Sequence, residues 1–352
     1  MRHGGNVWQG NAPDEWLDYS ANVRPDGPPE WVREAMRAGL SRARYYPDPA
    51  QRAARAALEA YLGVDEGWAI PTAGGVSAID MAVQLPARGM RVFSPAFGEY
   101  AQQAAARGVD VREIPLLRGK HLLLEPAEAL EGADIAGCAL WLCNPMNPVG
   151  AGFDARQIDA LLARMEAADG YLVIDEAFIH FCPEYGSIAK LRAHPRLAIT
   201  GSMTKVLGIP GVRLGYLCGA PELLGALQKK QLCWELNCVA EAVLRALPAH
   251  AAEIEAEAAE NARRREKLRA ALTAVGAYVY PSSANFVLAD FGRSVRPIAS
   301  ALRARGILVR ECENFSGIDD GRHLRLAVKD EAANARLICE IREAMAICAE
   351  SR

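Results

Sequence analysis

The sequence lacks most of the features that mark specialised protein classes. It has no surplus of positive charge: 40 Lys and Arg stand against 43 Asp and Glu, a net charge of -3. The electrostatic footprint of a nucleic-acid binder is therefore missing. No apolar run is long enough to span a bilayer. The opening "MRHGGNVWQG" has no apolar stretch and carries a glycine pair where a helix would begin, so it does not read as a signal peptide, and a cytoplasmic protein is expected. No CxxC pair occurs. The nine cysteines are odd in number, and most sit in apolar segments such as "GCALWLCNP". Buried free thiols are expected, rather than disulfides or a metal site. There is no internal repeat and no low-complexity block. No GK[ST] follows the Gly-rich loop at 72–76, which excludes a Walker-type nucleotide site.

What is present is ordinary in composition and strong in pattern. Of 352 residues, 51% are hydrophobic and 24% charged, as in globular proteins, and the length points to two domains. "GMRVFSPAFGEYAQQAAARGVDVREIPL" reads as strand, loop, helix, strand. "IAGCALWLCNPMNPVG" and "YLVIDEAFIHF" are buried strands that end in polar residues. Between them lies a helix, "FDARQIDALLARMEAADG", with Asp154 placed to cap it. "LAITGSMTKVLGIPGVRLGYLCG" holds two further strands. This alternation predicts a mostly parallel sheet with helices on both faces. After about residue 220 a long charged helix and shorter strands predict a smaller α+β domain. The expected division is an N-terminal arm with part of the small domain (1–40), a large domain (41–235) and a C-terminal small domain (236–352).

In open α/β sheets, ligands bind outside the carboxyl ends of the strands. Four polar clusters fall there. "TAGGVSA" would expose backbone N–H groups at a helix start, which suits a phosphate, although an ordinary Gly-rich loop reads the same way. In "SMTK", Ser202 and Thr204 offer hydroxyls beside Lys205, with Arg213 following. Hydroxyls with a guanidinium suit a phosphate dianion. Lys205 is either a nucleophilic amine for a carbonyl cofactor or a solvated surface lysine. Asp175 closes a buried strand and needs a partner, either a protonated pyridine nitrogen or a capping or metal-ligating role. Asn147, in "NPMNPVG", could donate to a phenolic oxygen or serve as a turn residue.

Asn147, Asp175, Lys205 and Arg213 follow one another in this order, each after a strand. In this the chain resembles the fold-type I pyridoxal-phosphate enzymes of the aminotransferase class I and II family, and the resemblance covers almost the whole chain. It implies a large domain with a mostly parallel sheet in an αβα sandwich, plus a smaller α+β domain. It also implies pyridoxal 5'-phosphate as cofactor, with Lys205 as the lysine that links to it. Asp175 would face its ring nitrogen and Asn147 its 3-oxygen. Gly75, Val76, Ser202 and Arg213 would hold its phosphate, and Tyr100 of "PAFGEY" would stack on its ring. Tyr46 of "RYYPDP" matches a tyrosine that reaches the neighbouring subunit's cofactor, which implies a homodimer.

Three segments, "HGGN", "LDYSANVRPDGPP" and "ILVRECENFSGI", resemble one branch of the family, the threonine-phosphate decarboxylases of cobalamin biosynthesis. That resemblance implies that a phosphorylated amino acid contacts His3, Gly4, Asn22, Asn147, Arg310 and Arg325. His3 on the Gly4–Gly5 hinge would close over the substrate phosphate as a small lid. Position 178 departs from the tyrosine that aminotransferases of this group commonly carry; here it is Phe178. The competing expectation is a histidinol-phosphate aminotransferase. A third is a catalytically silent binding protein on the same fold, against which the complete set of Lys205, Asp175 and Asn147 speaks.

Overall fold

The computed structural model describes residues 4–8 and 12–350, the side chains of 348–350 excepted. The chain begins with strand β1 (Leu17–Asp18) and helices α1 (Glu30–Leu40) and α2 (Arg52–Leu62). It continues through β2 (Ala69–Thr72), α3 (Gly75–Val83), β3 (Met90–Ser94), α4 (Glu99–Ala106) and β4 (Val111–Pro115). A small hairpin, β5 (Leu117–Arg118) and β6 (His121–Leu122), precedes β7 (Ala139–Cys143), α5 (Ala155–Ala167), β8 (Tyr171–Glu176), β9 (Leu197–Ser202) and β10 (Gly215–Gly219). Helices α6 (Pro221–Gln228), α7 (Cys238–Ala246) and α8 (Ala251–Ala274) lead out of this part. The last elements are β11 (Tyr278–Val279), β12 (Phe286–Asp290), α9 (Arg296–Ala304), β13 (Ile307–Leu308), β14 (Arg310–Glu311), β15 (His323–Ala327) and α10 (Glu331–Glu350).

Seven strands form one sheet in the order β2-β10-β9-β8-β7-β3-β4. All neighbours are parallel except β10, which runs antiparallel to both β2 and β9. Strands β3, β7, β9 and β10 are buried at every residue. That is why their sequences read as continuous apolar runs: helices cover both faces of the sheet. One face packs on α3, α4 and α6 through residues such as Ile79, Tyr100 and Leu224. The other packs on α1, α2, α5 and α7 through Val32, Leu58, Leu161 and Val243. Helix α5 opens as the sequence predicts. Asp154 accepts from the Gln157 N–H at 2.9 Å and Gln157 returns a bond to the Asp154 N–H, a capping box that contributes about 1 kcal/mol.

The second sheet, β11-β12-β15-β14, is antiparallel and packs on α8, α9 and α10 around Leu272, Val287, Leu302 and Ile341. The arm forms a separate two-stranded sheet, in which β1 pairs in parallel with β13, Leu17 opposite Ile307. Two helices near the joints of the expected division pack with the large sheet. Helix α1, grouped with the arm and small domain, buries Trp31 and Val32 in the core of the large sheet. Helix α7, placed at the start of the C-terminal domain, belongs to the same core. Gly39 lets α1 and α7 touch, since a Cβ there would lie 2.8 Å from the Cys238 carbonyl oxygen. The eight cysteines described are unpaired and five are buried. Among the described residues no helix is long and apolar enough to cross a membrane, and no group of three or more His, Cys, Asp or Glu is placed to hold a metal ion.

Candidate active site

The carboxyl ends of β7, β8 and β9 open into a cavity of about 250 Å³, closed on one side by the start of α3 and on the other by β14, β15 and the arm. Parallel strands all deliver their last residues to one edge, so Asn147, Asp175 and Lys205 meet there although they are far apart in sequence.

Lys205 lies in the loop after β9, part-exposed to the cavity. Its amine donates to Ser202 Oγ at 3.1 Å and stands 5.8 Å from the centre of the Phe178 ring. Burial lowers its pKa to about 8, against the pull of Asp175, and the Arg213 and Arg325 guanidiniums push the same way. An amine so poised is partly neutral near neutrality and can act as a nucleophile or proton carrier. Asp175 is buried, and burial pushes its carboxyl upward. The Tyr100 hydroxyl, donating at 2.5 Å, the Lys205 amine and the Ala177 N–H, donating at 3.1 Å, hold it down.

At the head of α3, Gly75 and Val76 line the cavity. A Cβ on Gly74 would sit 2.4 Å from the Arg213 guanidinium, so glycine is what lets the arginine lie across the loop. Ser202 is buried behind it and bonds Thr204 Oγ1 at 2.8 Å. The backbone at the head of α3 and the Arg213 guanidinium line the cavity with the Ser202 hydroxyl buried behind them, donors of the kind a phosphate site uses.

The far wall carries two buried arginines. Arg325 donates from Nη1 to Asn147 Oδ1 at 2.8 Å and from Nη2 to the Ser20 carbonyl at 2.7 Å. Its Nε has no partner among the described residues, and burial lowers its pKa to about 10. Arg310 donates to Asn314 Oδ1 at 2.6 Å. Asn22 is buried beside them, and neither atom of its amide has a partner among the described residues. Buried donors without partners are costly unless a ligand uses them.

Most of the residues singled out in the sequence lie together in the structure. Gly4, Asn22, Gly75, Val76, Asn147, Asp175, Lys205, Arg213, Arg310 and Arg325 line one cavity. His3 lies outside the described residues. Tyr46 is 81% exposed and packs on Trp234 at 4.7 Å, away from this chain's cavity. Tyr100 needs correcting. It is buried against Trp141, with its hydroxyl on Asp175, and does not line the cavity. Phe97, three residues earlier in "PAFGEY", does. Phe97, Asn314 and Phe315 were not foreseen. An aromatic in the loop ahead of α4 was the signal available for the first.

Pyridoxal phosphate fits these residues. The phosphate donors, the glycine that admits Arg213, the buried carboxylate and the low-pKa lysine are each of the kind that one of its groups requires. Comparison with known proteins agrees. Residues 14–341 match the family model for aminotransferase class I and II. A threonine-phosphate decarboxylase from Salmonella typhimurium is 31% identical over 97% of this chain and 96% of its own length. A histidinol-phosphate aminotransferase from Symbiobacterium thermophilum is 30% identical over 94% of this chain and 90% of its own. The crystal structure of the histidinol-phosphate aminotransferase from Clostridium acetobutylicum superposes with a TM-score of 0.85 at 25% identity, covering 92% of this chain and 98% of that one. The chain belongs to the aminotransferase class I and II family, the fold-type I enzymes that work with pyridoxal phosphate.

Proposed function

We propose that the protein decarboxylates L-threonine O-3-phosphate to (R)-1-amino-2-propanol phosphate, a step of cobalamin biosynthesis. The observation that carries this reading is the pair of buried guanidiniums, Arg310 and Arg325, in one cavity with the Asn22 amide, which has no partner among the described residues. A substrate with a carboxylate at one end and a phosphate at the other uses both arginines at once. Histidinol phosphate has a phosphate and no carboxylate, whereas the 2-oxoglutarate that accepts its amino group has two carboxylates and no phosphate, so only threonine phosphate presents one group of each kind. The 31% identical relative bears the name of this activity.

The cofactor would supply an electron sink for the pair left by the broken bond at Cα. Gly75, Val76, Ser202 and Arg213 would hold its phosphate, Asp175 would face its ring nitrogen, Asn147 its 3-oxygen, and Phe97 its ring. Arg310 and Arg325 grip the substrate's two anionic ends, so the Cα–carboxylate bond is set at a fixed angle by groups remote from it. Carbon dioxide leaves and Cα takes a proton. Lys205, with a pKa of about 8, is the group placed to hand that proton over. Phe178 puts a ring without a hydroxyl beside Lys205, so the wall there orders no water through a phenol. The arm closes the opposite side with Gly4 and the stretch Ser20–Val23.

The aminotransferase reading keeps one specific support, the relative at 30% identity. Purified holoenzyme incubated with L-threonine O-3-phosphate decides between them. Stoichiometric carbon dioxide and the amine phosphate are expected. Transfer of the amino group from histidinol phosphate to 2-oxoglutarate at a higher kcat/KM, without gas release, would replace this reading with the other.

A further inference from the structure

The loop that would hold the cofactor phosphate has few bonds of its own: the Gly74 N–H donates to the Thr72 carbonyl at 2.8 Å and the Thr72 hydroxyl to the Gly74 carbonyl at 3.1 Å. Its three central residues are Gly74, Gly75 and Val76, Gly74 sits at φ +86°, and α3 has no side-chain cap of its own. Two adjacent glycines make the backbone permissive, and a cradle for an anion needs its N–H groups fixed in direction. The fixing group comes from about 160 residues further on. Glu235 Oε1 accepts from the Ala73 N–H at 3.0 Å and also from the Ser77 hydroxyl. Ala73 stands just before the three cradle residues and Ser77 just after them. One carboxylate oxygen therefore ties both ends of the cradle. Glu235 follows Trp234, whose backbone is left-handed (φ +57°), in the turn that leads to α7, where Asn237 caps the helix by accepting from the Ala240 N–H at 2.8 Å.

We propose that Glu235 is a positioning residue for the cofactor: it holds the Gly74–Val76 backbone in the conformation that receives the cofactor phosphate, without touching that phosphate. The role is geometric. A carboxylate beside a phosphate dianion is repelled by it, so Glu235 helps only because its oxygen accepts two bonds, and a neutral acceptor of the same shape serves as well. The inference rests on the reading of Gly75, Val76 and Arg213 as the phosphate site.

The test is equilibrium dialysis of purified holoenzyme against graded pyridoxal phosphate, with bound cofactor read by visible absorbance and the cofactor-free protein's melting temperature measured alongside. Glu235→Ala is expected to weaken cofactor binding about tenfold, and Ser77→Ala, which removes one of the two bonds, about threefold. Glu235→Gln is expected to bind within about threefold of wild type, because its amide oxygen still accepts both bonds. Arg213→Met, the control for the phosphate site, is expected to weaken binding as well. Unchanged binding in Glu235→Ala and Ser77→Ala, with Arg213→Met weakened, overturns the role of Glu235 alone. Glu235→Gln as weak as Glu235→Ala also overturns it, since charge rather than geometry would then be at work. Unchanged binding in Arg213→Met overturns the phosphate-site reading and this inference with it.

Discussion

Successive strand residues face opposite ways, and Asp175 and Glu176 use this to serve opposite faces of β8. Asp175 looks into the cavity. Glu176 looks into a groove of about 460 Å³ on the far side, beside His180 and Tyr216. Its Oε1 accepts from the Ser187 N–H at 2.6 Å, while Oε2 has no partner among the described residues, and burial pushes its carboxyl up to about 7 from an ordinary 4.5. Between these two values the folded protein keeps a proton that the unfolded chain has released. Stability is therefore lost as pH rises from about 4.5 through 7. Glu176→Gln cannot ionise and escapes that loss. The variant should gain about 1–3 kcal/mol on wild type at pH 8 and close to nothing at pH 4.5, measured by urea unfolding. A stability difference that does not change with pH would show that Glu176 does not titrate in this range. At this scale the sequence was legible wherever a residue type has few alternative reasons to end a buried strand, as with Asp175 and Lys205. It was not legible between Phe97 and Tyr100, because both are aromatic and only the start of α4 decides which ring meets the cavity and which lies under Asp175.

Among the elements, the long buried strands and the capped helix α5 were plain in the sequence, since each carries its own pattern. Helix α1 was not. Its buried side is Trp31, Val32 and Gly39, and what makes it a face is α7, about 200 residues away. Strand β1 is two residues long and gains its meaning from β13, so no local signal marks it. From β1 the arm turns back over the cavity. The Gly5 N–H donates to Ser20 Oγ at 2.8 Å, and that hydroxyl donates to Asp18 Oδ1 at 2.6 Å. A Cβ on Gly4 would fall 1.9 Å from the Ser20 carbonyl oxygen, so only glycine passes there. Deleting residues 1–6 should leave folding and bound cofactor intact, raise KM for L-threonine O-3-phosphate about tenfold or more and lower kcat. Gly4→Ala should move both constants the same way by less. Steady-state kinetics identical to wild type for both variants would mean that the arm plays no part in substrate binding.

For the molecule as a whole, the two sheets were legible as a change of texture along the chain, and the joints between domains were not, because packing partners rather than composition set them. One surface remains unaccounted for within a single chain. Tyr45 (63% exposed), Tyr46 (81%) and Leu232 (77%) stand in the open with Trp234, on which Tyr46 packs. So much exposed aromatic surface in one place marks an interface. We propose a homodimer through this patch, with Tyr46 directed at the partner's cofactor site. Sedimentation should give a dimer at assay concentration. Tyr46→Ser with Trp234→Ser should shift the equilibrium to monomer and reduce kcat/KM by at least tenfold, and a fully active monomer would refute the arrangement.

Arg325 belongs to β15 in the small sheet, yet its guanidinium is bonded to Asn147 behind the large sheet's strand and to Ser20 in the arm. It is the keystone of an arch whose three stones come from distant parts of the chain. Replacing it in order to change the substrate would take down the arch before altering the opening beneath it. A designer seeking a new substrate does better to begin at Asn22, which lines the same space and to whose amide none of the described residues is fastened.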